Sequence, residues 1–218
     1  MDIRIQRLAR LLVDYSVDIQ AGERVAILSS PAASDLVLPV YERVLERGGH
    51  PFLNLSLPGT DEIYYRVASE DQLKFISPIE RLVFEEYEAL ISIRAATNTR
   101  ELNDTDPERQ AIRSKARRPL MQTYMERAAT GAFKWSGTLY PTPAYAQEAD
   151  MSLRDYEDFV FSACYCDRED PVAAWQAVHD RQAEVIEWLE GRERVKIVGP
   201  NADLTLSIKD RTFINSDG

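Results

Sequence analysis

The 218-residue sequence predicts an α/β protein, and three observations carry that expectation. Short apolar runs alternate with longer stretches in which apolar residues recur at helical spacing, so strands and helices take turns along the chain. Residues 24 to 57 read strand, helix, strand, and such a unit implies adjacent parallel strands. The C-terminal stretch changes to two-residue alternation, the period of a half-buried strand. Together these give a Rossmann-like, mostly parallel sheet flanked by helices over residues 1–198. Residues 199–218 then carry a short terminal hairpin that belongs to the start of a missing second domain.

The elements follow in order. Ile5, Leu8, Leu12, Tyr15 and Ile19 repeat at alternating helical intervals, so the chain opens on an amphipathic helix. After a turn at Gly22, Val25 to Leu28 form a first strand. Ser34 caps a helix that Gly48-Gly49 stops, and Pro39 should bend this helix or delay its start. Pro51 to Leu57 make the next strand, and Ala89 to Ala95 a third, buried one after a run of short helices. A long helix from Pro107 precedes a fourth strand, Phe133 to Pro141, aimed at the same sheet. From Pro143 to Glu190 the chain is almost wholly helical, its last helix opening on Asp170-Pro171 and closing at Gly191. Trp175 on that helix is expected to be buried against the sheet. Arg194 to Pro200 form the last strand before the hairpin. Leu204, Leu206 and Ile208 share one face of the hairpin, with Thr212 to Asn215 as the partner strand beyond an Asp210-Arg211 turn. Ser216-Asp217-Gly218 is a turn signal. Two strands alone are marginal in water, so residues 202–215 are expected to be poorly ordered or paired with another chain along their open edge.

Composition narrows the function. Hydrophobic residues at 44% and charged residues at 28% are ordinary for a globular protein. A net charge of −10 argues against nucleic acid as a partner, because phosphate binding draws on an excess of Lys and Arg. Arg4, Arg7, Arg10 and Asp14 interrupt the apolar residues of the N-terminus, so neither a secretory signal nor a membrane anchor is expected there. The two cysteines, Cys164 and Cys166, are too few for a disulfide framework, which points to a reducing, cytoplasmic compartment.

Candidate chemistry is sparse. The first β-α turn, Ser29-Ser30-Pro31-Ala32-Ala33-Ser34-Asp35, lacks the glycine pattern that lets a dinucleotide pyrophosphate approach the backbone. Ser29 and Ser30 are weighed as an anion site at a helix N-terminus and read as a plain connecting loop. His50 and His179, the two histidines, are read as packing or surface residues. Cys164 and Cys166, on different faces of a helix, lack the further ligands of a zinc site and are read as small buried apolar residues. The carboxylates of residues 84–89 and 167–171 have no base or nucleophile beside them. No catalytic, cofactor-binding or metal-binding residue is therefore assigned within the chain.

Residues 140–189 carry a more specific signal. The Tyr140-Pro141-Thr142-Pro143 turn, Gln147-Glu148-Ala149, Met151-Ser152 and Asp170-Pro171 through Trp175 resemble the N-terminal half of the M29 metallopeptidases. That family is also called aminopeptidase S, aminopeptidase T and aminopeptidase II. The opening, Leu8 to Val13 followed by Ile19 to Ile27, resembles the family too, as does the stretch from Asp203 to Gly218 that leads toward its catalytic half. The resemblance implies a metal-dependent aminopeptidase acting on peptides. It also implies two metal ions per subunit, zinc or cobalt, held by glutamates, histidines, a tyrosine and an aspartate of the C-terminal half. It implies a homodimer whose walls enclose a cavity. No ligand carries over onto a position here, so a fragment of these residues is expected to be inactive and to hold no metal. Two readings from other classes are a Rossmann-like regulatory or nucleotide-binding domain and a stand-alone interaction module.

Overall fold

The computed structural model describes residues 2–216, and Asp217 and Gly218 of the expected terminal turn lie outside them. Two compact units divide the chain, Met1–Glu169 and Asp170–Gly218, so the division falls well before the expected 198/199 boundary.

The first unit is built on four parallel strands in the order β2-β1-β3-β4, where β1 is Arg24–Ser29, β2 His50–Leu55, β3 Ala89–Arg94 and β4 Lys134–Leu139. Val25 lies opposite Pro51 on one side and Ala89 on the other, and Ala89 opposite Lys134. The expected β-α-β unit is present: α2 (Ser34–Glu46) joins β1 to β2 and packs on both. Its Leu36, Val37, Val40 and Val44 are buried, which is the helical stripe the sequence presents. α1 (Ile3–Arg10) packs on α2 in turn.

On the other face of the sheet, Ala26 and Leu90 meet Val83 and Phe84 of α5 (Pro78–Glu86) and Leu120 of α6 (Pro107–Ala129), closed by Phe133. Strand side chains alternate between faces, so neighbours Val25 and Ile27 serve the opposite core. Both are fully buried, as expected of a parallel strand covered on both faces. α3 (Thr60–Val67) and α4 (Glu70–Lys74) complete the connection from β2. α7 (Pro143–Glu148) and α8 (Leu153–Ala163) form a satellite cluster around Ala146, Tyr156 and Val160.

Two local expectations change. The opening helix is not uniform: after Arg10 it widens into a π-helix over Leu11–Ser16, with Val17 N–H reaching Leu12 O at 3.1 Å, five residues back. The wider turn lets consecutive Leu11, Leu12 and Val13 all be buried, and Asp14 takes Arg43 of α2 at 2.7–3.0 Å. Pro39 does not delay α2, which starts at Ser34 and runs continuously through it. Only the bond that a residue-39 N–H would make to Asp35 is lost, and the buried ring replaces it with packing.

The second unit pairs α9 (Pro171–Leu189) with a hairpin of β5 (Arg194–Gly199) and β6 (Ala202–Ser207). The hairpin differs from expectation. β6 pairs antiparallel with the preceding β5, Ile197 opposite Leu204 and Val195 opposite Leu206, while Thr212–Asn215 forms no strand. β5 therefore belongs with β6 and not with the parallel sheet. Trp175 is half-buried, not in a core, and Pro171 is the buried residue that α9 contributes.

Candidate functional site

In a sheet of order β2-β1-β3-β4 the chain moves from β1 to one side and then returns to the other. That leaves a crevice between the C-terminal ends of β1 and β3, the place where open α/β sheets bind ligands. A cavity of about 370 Å³ occurs there, reached by Ser29 and Ser30 after β1, residues 92–97 of β3 and its continuation, and Tyr145.

The two serines are tied to the sheet. Ser29 Oγ donates to Ile93 O at 2.9 Å and Ser30 Oγ donates to Ala95 O at 2.8 Å, so both hydroxyl protons are used to bridge β1 and β3. The turn that follows begins with Pro31, which has no N–H to offer an anion. These groups tie the two sides of the crevice together, and with their protons already donated the two hydroxyls offer an anion no donor. Gly59, at φ +86°, donates its N–H to Glu101 at 2.5 Å, joining the start of α3 to the segment before α6. Thr142 Oγ1 donates to Ala96 O at 2.7 Å and caps α7, which carries Tyr145. Tyr140 of the Pro-rich turn sits 3.3 Å from Asp35, and burial together with that carboxylate pushes its hydroxyl up to about 12.

The histidines and cysteines do not converge. His50 opens β2 with an exposed side chain, its backbone N–H donating to Glu23 O at 2.8 Å. His179 is exposed on α9, its Nδ1 3.2 Å from Asn215 Nδ2. Cys164 caps the end of α8, and Tyr165 at φ +57° turns the chain, so the cysteines occupy a helix-terminating turn and not two faces of one helix. Cys166 is fully buried, and burial first, then Cys164 and Asp167, pushes its thiol up to about 12. A thiol held protonated is neither a nucleophile nor a metal ligand. Among the described residues no group of three or more His, Cys, Asp or Glu side chains comes together to hold a metal ion. They do not fit a binuclear centre, which needs carboxylates and imidazoles gathered around metals about 3.5–4 Å apart.

One polar row escaped the sequence reading. Arg109, Arg113 and Arg117 recur every fourth residue on α6 and so share one face. Arg109 donates from Nε to Tyr65 O at 2.5 Å and also reaches Ala68 O, tying down the end of α3. Arg113 donates to Phe75 O at 2.6 Å and to Glu80 at 3.1 Å, and Arg117 to Glu80 at 2.7 Å. The four-residue spacing was a visible signal; its partners, more than thirty positions away, were not.

The family model described as thermophilic metalloprotease (M29) matches residues 1–218. The chain belongs to the M29 family. It is 26% identical over 219 residues to aminopeptidase 2 of Geobacillus stearothermophilus and 21% identical over 221 residues to aminopeptidase T of Thermus thermophilus. Each alignment covers 94% of this chain and 53% of the relative, so the chain spans about half the length of these curated M29 relatives. The solved structure of wild-type AmpT from Thermus thermophilus shares the fold at a TM-score of 0.74 and 18% identity, again over 94% of this chain and 53% of that one. Among the described residues no helix is long and apolar enough to cross a membrane.

Proposed function

We propose that this M29 chain is the non-catalytic, N-terminal part of a metal-dependent aminopeptidase that removes N-terminal residues from peptides. The observation that carries this reading is coverage: the family model spans all 218 residues, yet those residues align with about half of each relative. In this reading two divalent metal ions, zinc or cobalt, would be held by residues outside the 218, and when bound would supply Lewis-acid activation of the scissile carbonyl and of water. The parallel sheet, covered on both faces, supplies a rigid wall beside the route of the peptide. A homodimer in the cytoplasm completes the enclosure.

The test is turnover. Incubation of the 218-residue protein with leucine p-nitroanilide and zinc or cobalt is expected to release no nitroaniline above the blank. Release that scales with protein concentration and stops on addition of a chelator would put the metal centre inside these residues and overturn the reading.

A further inference from the structure

α5 and α6 cover Ala26 and Leu90, but the same sheet face opens toward β2 into a cavity of about 650 Å³, a size that takes a small molecule. Leu28, Phe52, Asn54 and Ser56 form its floor. Tyr64 and Tyr65 of α3 and Ile79 of α5 stand around it.

Its charges are unevenly matched. The Glu80 carboxylate serves two guanidinium groups, with Arg113 Nη2 at 3.1 Å from Oε2 and Arg117 Nη2 at 2.7 Å from Oε1. One carboxylate cannot neutralise both, and Nη1 of Arg117 has no acceptor among the described residues. The balancing charge is Asp61, which also lines the cavity and whose carboxylate makes no ion pair or hydrogen bond among the described residues. Tyr65 lies where both are felt: burial first and then the Asp61 charge raise the pKa of its hydroxyl, while Arg113 and Arg117 lower it. The cleft is thus lined by a surplus positive group and an unpaired negative one, beside the apolar side chains of Leu28 and Phe52.

We propose that this cleft binds a zwitterionic α-amino acid with an apolar side chain, its carboxylate on Arg117, its ammonium on Asp61 and its side chain over Leu28 and Phe52. A purely anionic or cationic ligand would satisfy one group and leave the other unmatched. The assignment deepens the aminopeptidase reading, and its biological sense rests on that reading, because a free amino acid is what such an enzyme releases.

The experiment is an NMR titration of the 15N-labelled 218-residue protein with L-leucine, N-acetyl-L-leucine and L-leucinamide. L-leucine is expected to give saturable shifts at Ser56, Tyr65 and the α6 amides. Each derivative lacks one charge and is expected to bind at least about tenfold more weakly, the loss of one charge-assisted hydrogen bond. Asp61→Asn is expected to abolish the preference for L-leucine over its N-acetyl form, and Arg117→Gln the preference over the amide. Asp61 is exposed, so its variant decides the matter if Arg117→Gln does not fold. Shifts that never saturate, equal binding of all three probes, or an Asp61→Asn protein that still discriminates would each overturn the site. Binding is read here without turnover, so such a failure leaves the aminopeptidase reading standing, and a failure of the turnover test leaves this one standing.

Discussion

At Gly49 there is room for a hydrogen and nothing larger. An added Cβ would lie 2.9 Å from Ile19 Cγ2 and 3.0 Å from Val44 Cγ1, both parts of the core under α2. Gly49→Ala is therefore expected to cost about 1–3 kcal/mol by overpacking, read as a lower urea midpoint at unchanged slope. Phe133, 1% exposed, packs 6.1 Å from Phe84 and 5.6 Å from Tyr124 between ring centroids. Phe133→Ala is expected to cost about 3–5 kcal/mol, and a loss under 1 kcal/mol would mean that the site collapses around the smaller side chain. Cys166 links packing to pH. Its thiol pKa is raised in the folded state to about 12, so the unfolded chain loses this proton first as pH rises. The stabilisation is complete below the ordinary thiol range and declines from about pH 9 toward about pH 12. Urea melts across that window should show a smaller decline for Cys166→Ala than for the parent. The sequence already marked Gly48-Gly49 as a helix stop. That Gly49 must also admit Ile19 was hidden, because it depends on two segments thirty residues apart meeting in space.

Elements with local signals were legible; those defined by a distant partner were not. Asp170 accepts the N–H of Ala173 at 3.0 Å and Pro171 fills the first turn of α9, as the sequence announces. Asp170→Ala is expected to lower the stability of the second unit by about 0.5–2 kcal/mol, measured by amide exchange along α9. Protection unchanged at Ala173 and Ala174 would show that the cap contributes nothing. The strands of the parallel sheet could be read from their apolar runs and their alternation with helices. Arg194–Gly199 looked like one more of them, since a short apolar run says nothing about which strand it will join. The useful signal was Pro200-Asn201, two turn residues set between runs that alternate in register, which is the signature of a hairpin closing on β5. The crevice at the β1/β3 switch point was equally out of reach, because it is created by strand order, and strand order is not written in any single strand.

At the scale of the molecule, residues 1–169 possess a sheet covered on both faces and a core of their own. A chain ending at Glu169 is expected to melt in one cooperative transition, checked by agreement of calorimetric and van't Hoff enthalpies. A broad, non-cooperative melt would show that the second unit is needed for folding. Residues 170–216 offer far less: Leu204 and Leu206 are 47% and 44% exposed, Trp188 is 57% exposed, and Pro171 is the buried side chain of α9. Alone they are not expected to fold cooperatively, since so short a chain buries too little apolar surface. Trp135 stands on the outermost strand of the sheet at 55% exposure, its ring 5.9 Å from that of Tyr124, and it is the sole tryptophan of the first unit. In a chain ended at Glu169 it becomes a built-in lamp at the sheet margin: water around the indole keeps its emission toward long wavelengths and open to acrylamide. Whatever molecule settles along β4 will announce itself by a blue shift and by loss of quenching, with no label attached.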